Sequence, residues 1–133
     1  MFDHLSLTVS DLEKSLRFYE AALATLGYQC VRFTANSGQS AGFGLGNALH
    51  FWISEGSKVS RNAHVAFAAD DHKSVESFYE TAISAGGKEN GAPGFRPHYH
   101  ASYYAAFVID PDENNIEVVC HFPGKMDDQF ATE

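Results

Sequence analysis

The 133-residue sequence lacks any apolar run approaching the roughly 20 residues that cross a bilayer, and its first twenty residues lack the basic start and apolar stretch of a secretory leader. A cytoplasmic protein with no membrane partner is the expectation. Positive charge is also scarce. Nine basic residues face 17 acidic ones, and the formal net charge of -8 opposes binding to nucleic acid or to an anionic membrane surface. Cysteine is limited to Cys30 and Cys120, far apart in strand-like surroundings. They read first as buried thiols, and the spacing leaves a bridge open. With 44% hydrophobic and 20% charged residues the chain has none of the marks of disorder. Its length suits one domain that buries about two thirds of its unfolded surface.

What the chain does contain is a repeat. With an offset of 60 residues His4 falls on His64, Asp11 on Asp71, Phe18-Tyr19-Glu20 on Phe78-Tyr79-Glu80, Ala22 on Ala82 and Gly27 on Gly87. Leu5 over Val65, Leu7 over Phe67 and Leu23 over Ile83 extend the match to apolar positions. Each copy reads as a strand, a turn at the aspartate and an amphipathic helix closed by glycine. Either half alone is too small to bury its own sheet.

From Phe2 to Val9, Leu5, Leu7 and Val9 alternate with His4, Ser6 and Thr8, the pattern of a half-buried strand. Ser10 or Asp11 is placed to cap a helix whose stripe is Leu12, Leu16, Tyr19, Leu23 and Leu26, with Gly27 as its stop. The helix is expected on the Leu5, Leu7, Val9 face, leaving the His4 face to look elsewhere. Strands are expected over 28–34, 41–45 and 48–53, with Gly46-Asn47 as a hairpin turn and 55–61 as a linker. In the second copy His64, Ala66 and Ala68 share a face, and Val75, Phe78, Tyr79, Ala82 and Ile83 form the helical stripe. The segment 91–100 (GAPGFRPHYH) reads as irregular. Strands follow at 103–109 and 116–122 around a turn at Asp110-Pro111-Asp112-Glu113-Asn114, and Glu117, Val119 and His121 share one face of the last.

The opening HLSLTVSD (4–11), the central HVAF (64–67) and the closing DPD (110–112) followed by IEV (116–118) resemble the vicinal oxygen chelate superfamily. That superfamily includes glyoxalase I, fosfomycin-modifying thiol transferases, extradiol dioxygenases and metal-free bleomycin-resistance proteins. The resemblance implies an α+β fold of two tandem βαβββ modules whose mixed, curved sheet surrounds a cavity. One domain over 1–122 is expected, with modules at about 2–57 and 62–122 and a tail at 123–133. A homodimer acting on a small-molecule substrate is implied as well.

Carried over by position, the resemblance puts a divalent metal (zinc, nickel, manganese or iron) on His4, His64 and Glu117. Each is also the polar residue on a strand face turned away from a helix stripe, and two imidazoles with one carboxylate leave coordination positions open for substrate. The residues alone also permit two histidines lining a wet cavity with Glu117 paired to one of them. Laying LHF (49–51) on IEV (116–118) makes His50 the repeat partner of Glu117, where glyoxalase I has a carboxylate that is both ligand and base. A histidine there serves as ligand or as catalytic base. Phe51 or Trp52 is the alternative occupant.

Trp52 either stacks on substrate or packs. Arg96, His98, His100 and Tyr103 are the remaining substrate-binding candidates, Arg96 by bidentate contact with a carboxylate or phosphonate. Three readings follow. One is a metal-dependent glyoxalase-family enzyme, with lyase, isomerase or oxygenase chemistry on an oxygen-chelating substrate. The second is a metal-free small-molecule-binding protein of the bleomycin-resistance type, and the third an accessory or structural homologue with no small ligand.

Overall fold

The computed structural model describes residues 1–35 and 38–123. The two aspartates matched by the repeat cap two 13-residue helices, α1 (Leu12–Ala24) and α2 (His72–Ser84). Asp11 accepts from the Lys14 amide at 3.2 Å and Asp71 from the Ser74 amide at 2.8 Å, each satisfying one amide of an opening turn. Gly27 and Gly86, at φ 84° and 108°, lead the chain out of the helices in the left-handed conformation that side chains resist.

Four strands accompany each helix. In the first module β1 (Leu5–Val9), β2 (Gln29–Ala35), β3 (Gly38–Gly44) and β4 (Phe51–Glu55) lie in the order β1-β4-β3-β2, with β1 parallel to β4. The second module repeats this with β5 (His64–Ala68), β6 (Lys88–Phe95), β7 (Tyr104–Ile109) and β8 (Asn115–Cys120) in the order β5-β8-β7-β6, with β5 parallel to β8. The fold is α+β, two βαβββ modules each with its own mixed sheet. Among the described residues no helix is long and apolar enough to cross a membrane. Residues 124–133 of the expected acidic tail lie outside the described part.

Two local expectations are corrected. The segment expected to be irregular from Gly91 is in strand as far as Phe95, because pairing with β7 needs only backbone groups. Its register slips between Glu89 and Gly91 and again between Gly91 and Gly94, and Pro93 falls inside the second slip on an edge strand, where a missing amide is tolerated. The strand expected from Ala48 begins instead at Phe51, since the chain after the turn folds back over Gly44 so closely that a Cβ there would lie 1.7 Å from the Ala48 carbonyl oxygen. His50 therefore precedes β4, although its amide still donates to the Phe43 carbonyl at 2.8 Å.

A single core joins the modules. Leu12, Leu16, Tyr19 and Leu23 are buried as their spacing predicts, and Phe18 is buried with them because α1 also meets the second module at Gly87. Phe51 of β4 stands edge-on to Phe67 of β5 with centroids 5.3 Å apart. The helix-bearing faces thus turn toward one another. The opposite faces, with His4 and Ser6 on one sheet and His64 and Ala66 on the other, are exposed. Leu5, of core parity but on an edge strand, remains 45% exposed.

The turn after β7 is a polar bolt between modules. Asp110 accepts the Tyr19 hydroxyl proton of α1, along with the amides of Asp112 at 2.8 Å and Asn114 at 2.9 Å. Asp112 accepts from Ser10, at 3.1 Å from its amide and 2.5 Å from its hydroxyl. All three turn residues Asp110, Asp112 and Asn114 are buried. Burial and then Asp110 push the Tyr19 phenol well above its ordinary pKa. Among the described residues no disulfide joins Cys30 and Cys120, and burial raises the pKa of Cys30.

Candidate active site

The outward face of the second sheet concentrates polar chemistry. Ala66 of β5 pairs with Glu117 of β8, and Phe107 of β7 pairs with Glu117 from the other side, so the carboxylate sits at the centre of the sheet. Only 1% of Glu117 is exposed. A buried carboxylate requires partners, and both oxygens have one. His64 Nε2 donates to Oε1 at 2.7 Å, and the Tyr103 hydroxyl donates to Oε2. Burial, followed by this hydrogen bond and the Glu117 charge, raises the Tyr103 pKa. Tyr103 therefore remains a donor throughout the neutral range.

Around this centre, Arg96 lies over the Phe107 ring at 5.2 Å, and the His64 ring lies 6.2 Å from the same phenylalanine. His100 and His121 bring ring nitrogens within 2.9 Å of each other, and both rings touch Tyr103, with centroids 5.4 and 5.3 Å away. His98 is peripheral, its ring 4.2 Å from Tyr99. His121 is a site residue that sequence reasoning does not single out. Its alternation with Glu117 and Val119, carried one residue past the end of β8, is the available signal.

The outward face of the first sheet is different. His4 Nδ1 lies 2.8 Å from an Asp3 carboxylate oxygen, and His50 Nδ1 lies 3.2 Å from the Asp3 carbonyl. A hollow of about 300 Å³ is lined by His4, Ser6, Ser40, Trp52, Ile53 and Ser54. Trp52 packs against Phe33 with centroids 5.2 Å apart. Strand register also corrects the matching of the two modules. Ser6, the repeat partner of Ala66, pairs with Trp52, so Trp52 and not His50 occupies the place that Glu117 holds in the second module. His50 is the counterpart of Asn115 instead, one residue before the first strand pair.

The profile of the glyoxalase/bleomycin resistance protein/dioxygenase superfamily matches residues 1–118. The chain belongs to that superfamily. Among solved structures, a glyoxalase/bleomycin resistance protein from Albidiferax ferrireducens is 29% identical at a TM-score of 0.76, with 90% of this chain matched to 98% of that one. A glyoxalase-related enzyme from Fulvimarina pelagi has 21% identity and a TM-score of 0.68, covering 90% of this chain and 87% of its own. Glyoxalase I from Zea mays shares the fold at 24% identity and a TM-score of 0.68, with 89% of this chain matched to 43% of the maize protein. No curated protein matches the sequence.

Members of the superfamily commonly use a divalent metal, and this chain fits one in part. His64 and Glu117 converge, and the bond from His4 Nδ1 to Asp3 leaves Nε2 as its remaining nitrogen, the orientation that suits a metal-binding imidazole. Yet among the described residues no three potential ligands of one chain come together. Within one chain the three expected ligands are divided, with His4 on one module and the His64–Glu117 pair on the other.

Proposed function

We propose that the protein is a metal-dependent enzyme of the glyoxalase superfamily, acting on a small oxygen-chelating substrate at sites completed by two copies of the chain. The observation that carries this reading is the divided donor set on two open faces. A twofold dimer that sets the first module of one copy against the second module of the other brings His4 to His64 and Glu117 twice over, and covers both faces. Leu5 and the edges of β1 and β5 are the surfaces such pairing would bury.

In this reading His4, His64 and Glu117 hold the ion, whether zinc, nickel, manganese or iron, and the ion when bound polarises the chelated oxygens of the substrate. Tyr103 holds the second oxygen of Glu117 and so fixes the direction of the first. Trp52 supplies an apolar wall where a fourth ligand would otherwise stand. His50, whose Nδ1 donates to the Asp3 carbonyl, keeps Nε2 as the nitrogen that takes up a proton from substrate. His98 and His100 line the approach, and residues 1–122 act as one domain.

Elemental analysis after reconstitution is expected to find about one divalent ion per chain in a dimer, and much less in His4→Ala or Glu117→Ala. Mixing these two variants under subunit exchange is expected to restore about a quarter of the sites, because random pairing makes half the dimers mixed and each mixed dimer has one intact site. Restoration absent, with metal still bound by the unaltered protein, would place the site within one chain. A second reading, metal-free binding, is favoured by the complete pairing of Glu117 with His64 and Tyr103. Failure to retain any of the four metals would select it.

A further inference from the structure

Among the described residues, Arg96 has no carboxylate within salt-bridge distance, unlike Arg32, which meets Glu13 at 2.9 Å, and Arg61, which meets Glu113 at 3.5 Å. Its guanidinium is nevertheless fixed. One terminal nitrogen donates to the Gly94 carbonyl at 2.8 Å and the other to the Ala92 carbonyl at 2.9 Å, while the cation lies over the face of Phe107. Two of its five N–H groups are thereby used and three remain, enough for a fork contact with an anion.

The end of β6, just before Arg96, is shaped around its head group. A Cβ on Gly91 would lie 3.2 Å from one terminal nitrogen and 2.9 Å from the Phe107 ring, and a Cβ on Gly94 would lie 3.2 Å from the other nitrogen. Gly91 also has φ 155°, and the two register slips of β6 flank these same glycines. The two carbonyls orient the cation but leave its charge uncompensated.

We infer that Arg96 is the recognition point for a carboxylate on the substrate, so that the ligands of this protein are small anionic molecules whose body lies along Phe107 between Arg96 and the His64–Glu117 pair. The inference rests on the small-molecule site proposed above. It adds the substrate's charge and the end by which it is held. In a chain of net charge -8 this fixed cation also supplies local attraction for anions that the rest of the surface repels.

The test uses benzoate and its neutral isostere benzamide, titrated calorimetrically into the full chain with metal content measured on the same samples. Benzoate is expected to bind saturably and benzamide at least about tenfold more weakly, and Arg96→Gln is expected to lower benzoate affinity by at least about tenfold without changing metal content. Arg96→Lys, which keeps the charge and loses the fork, is expected to weaken benzoate binding in the same direction and serves if Arg96→Gln misfolds. Equal binding of the two probes, no saturable benzoate binding, or unchanged affinity in a folded variant would overturn the inference. Arg96-dependent benzoate binding by protein that holds no metal would uphold it while refuting the metal-dependent reading. Metal retention without benzoate binding would do the reverse.

Discussion

Glu117 shows how much one buried charge demands of its neighbours. A carboxylate 1% exposed in the middle of a sheet is tolerated because an imidazole and a phenol meet its two oxygens. Removing the phenol leaves Oε2 without its donor. Tyr103→Phe is therefore expected to destabilise the fold by about 1 to 3 kcal/mol, measured by urea denaturation. A change within experimental error would mean that water replaces the hydroxyl without loss. Strand parity set His64 and Glu117 on faces turned away from the helices, and the family resemblance joined them. The pairing of Trp52 with the Glu117 position was not legible, because the turn and fold-back at 45–50 shift the first module's register, and no letter in that stretch records the shift. Asp3, which holds both His4 and His50, gave no sign of its role, since an exposed acidic residue next to a strand has no periodicity to betray it.

The helices were the plainest elements to read. Their aspartate caps, apolar stripes and closing glycines act within a few residues of one another, so local chemistry suffices. Phe18 and the β6 segment depended on distant partners and were missed for that reason. Gly87 marks the junction between α2 and β6 at which these partners meet. A Cβ there would lie 2.4 Å from Val108 and 2.6 Å from Phe18, with the Ala82 carbonyl oxygen at 2.9 Å. Neither buried side chain has open space to retreat into. Gly87→Ala is expected to cost at least about 1 to 3 kcal/mol through overpacking, read as a lower denaturation midpoint. A midpoint equal to that of the unaltered protein would mean that Val108 and Phe18 move aside without loss.

The whole molecule has two modules but one core, and its stability should follow the core. Unfolding is expected to be a single transition by both fluorescence and circular dichroism. Tyr19→Phe, which takes the α1 hydroxyl away from Asp110, is expected to lower the stability of both modules together by about 1 to 3 kcal/mol. The raised Tyr19 pKa gives this a pH signature. Its contribution is complete below the unfolded-state pKa of about 10 and is lost as pH rises from there toward the folded-state value, so the deficit of the variant should shrink above about pH 10. A deficit independent of pH would assign the loss to packing. The repeat had already announced the duplication, and what it left unsaid was that the helix-bearing faces pack together and leave the two donor-bearing faces on the outside.

That same bolt has a consequence during synthesis. Tyr19 and Asp110 are separated by 91 residues, so the first helix emerges from the ribosome long before its buried hydroxyl has an acceptor. At roughly 5 to 20 residues per second the interval is about 5 to 18 seconds. During it the Phe18 side of α1, and Phe51 once it is made, lack the second module that covers them, a sticky surface offered to chaperones or to other nascent chains. Translation of the second module is what ends that exposure.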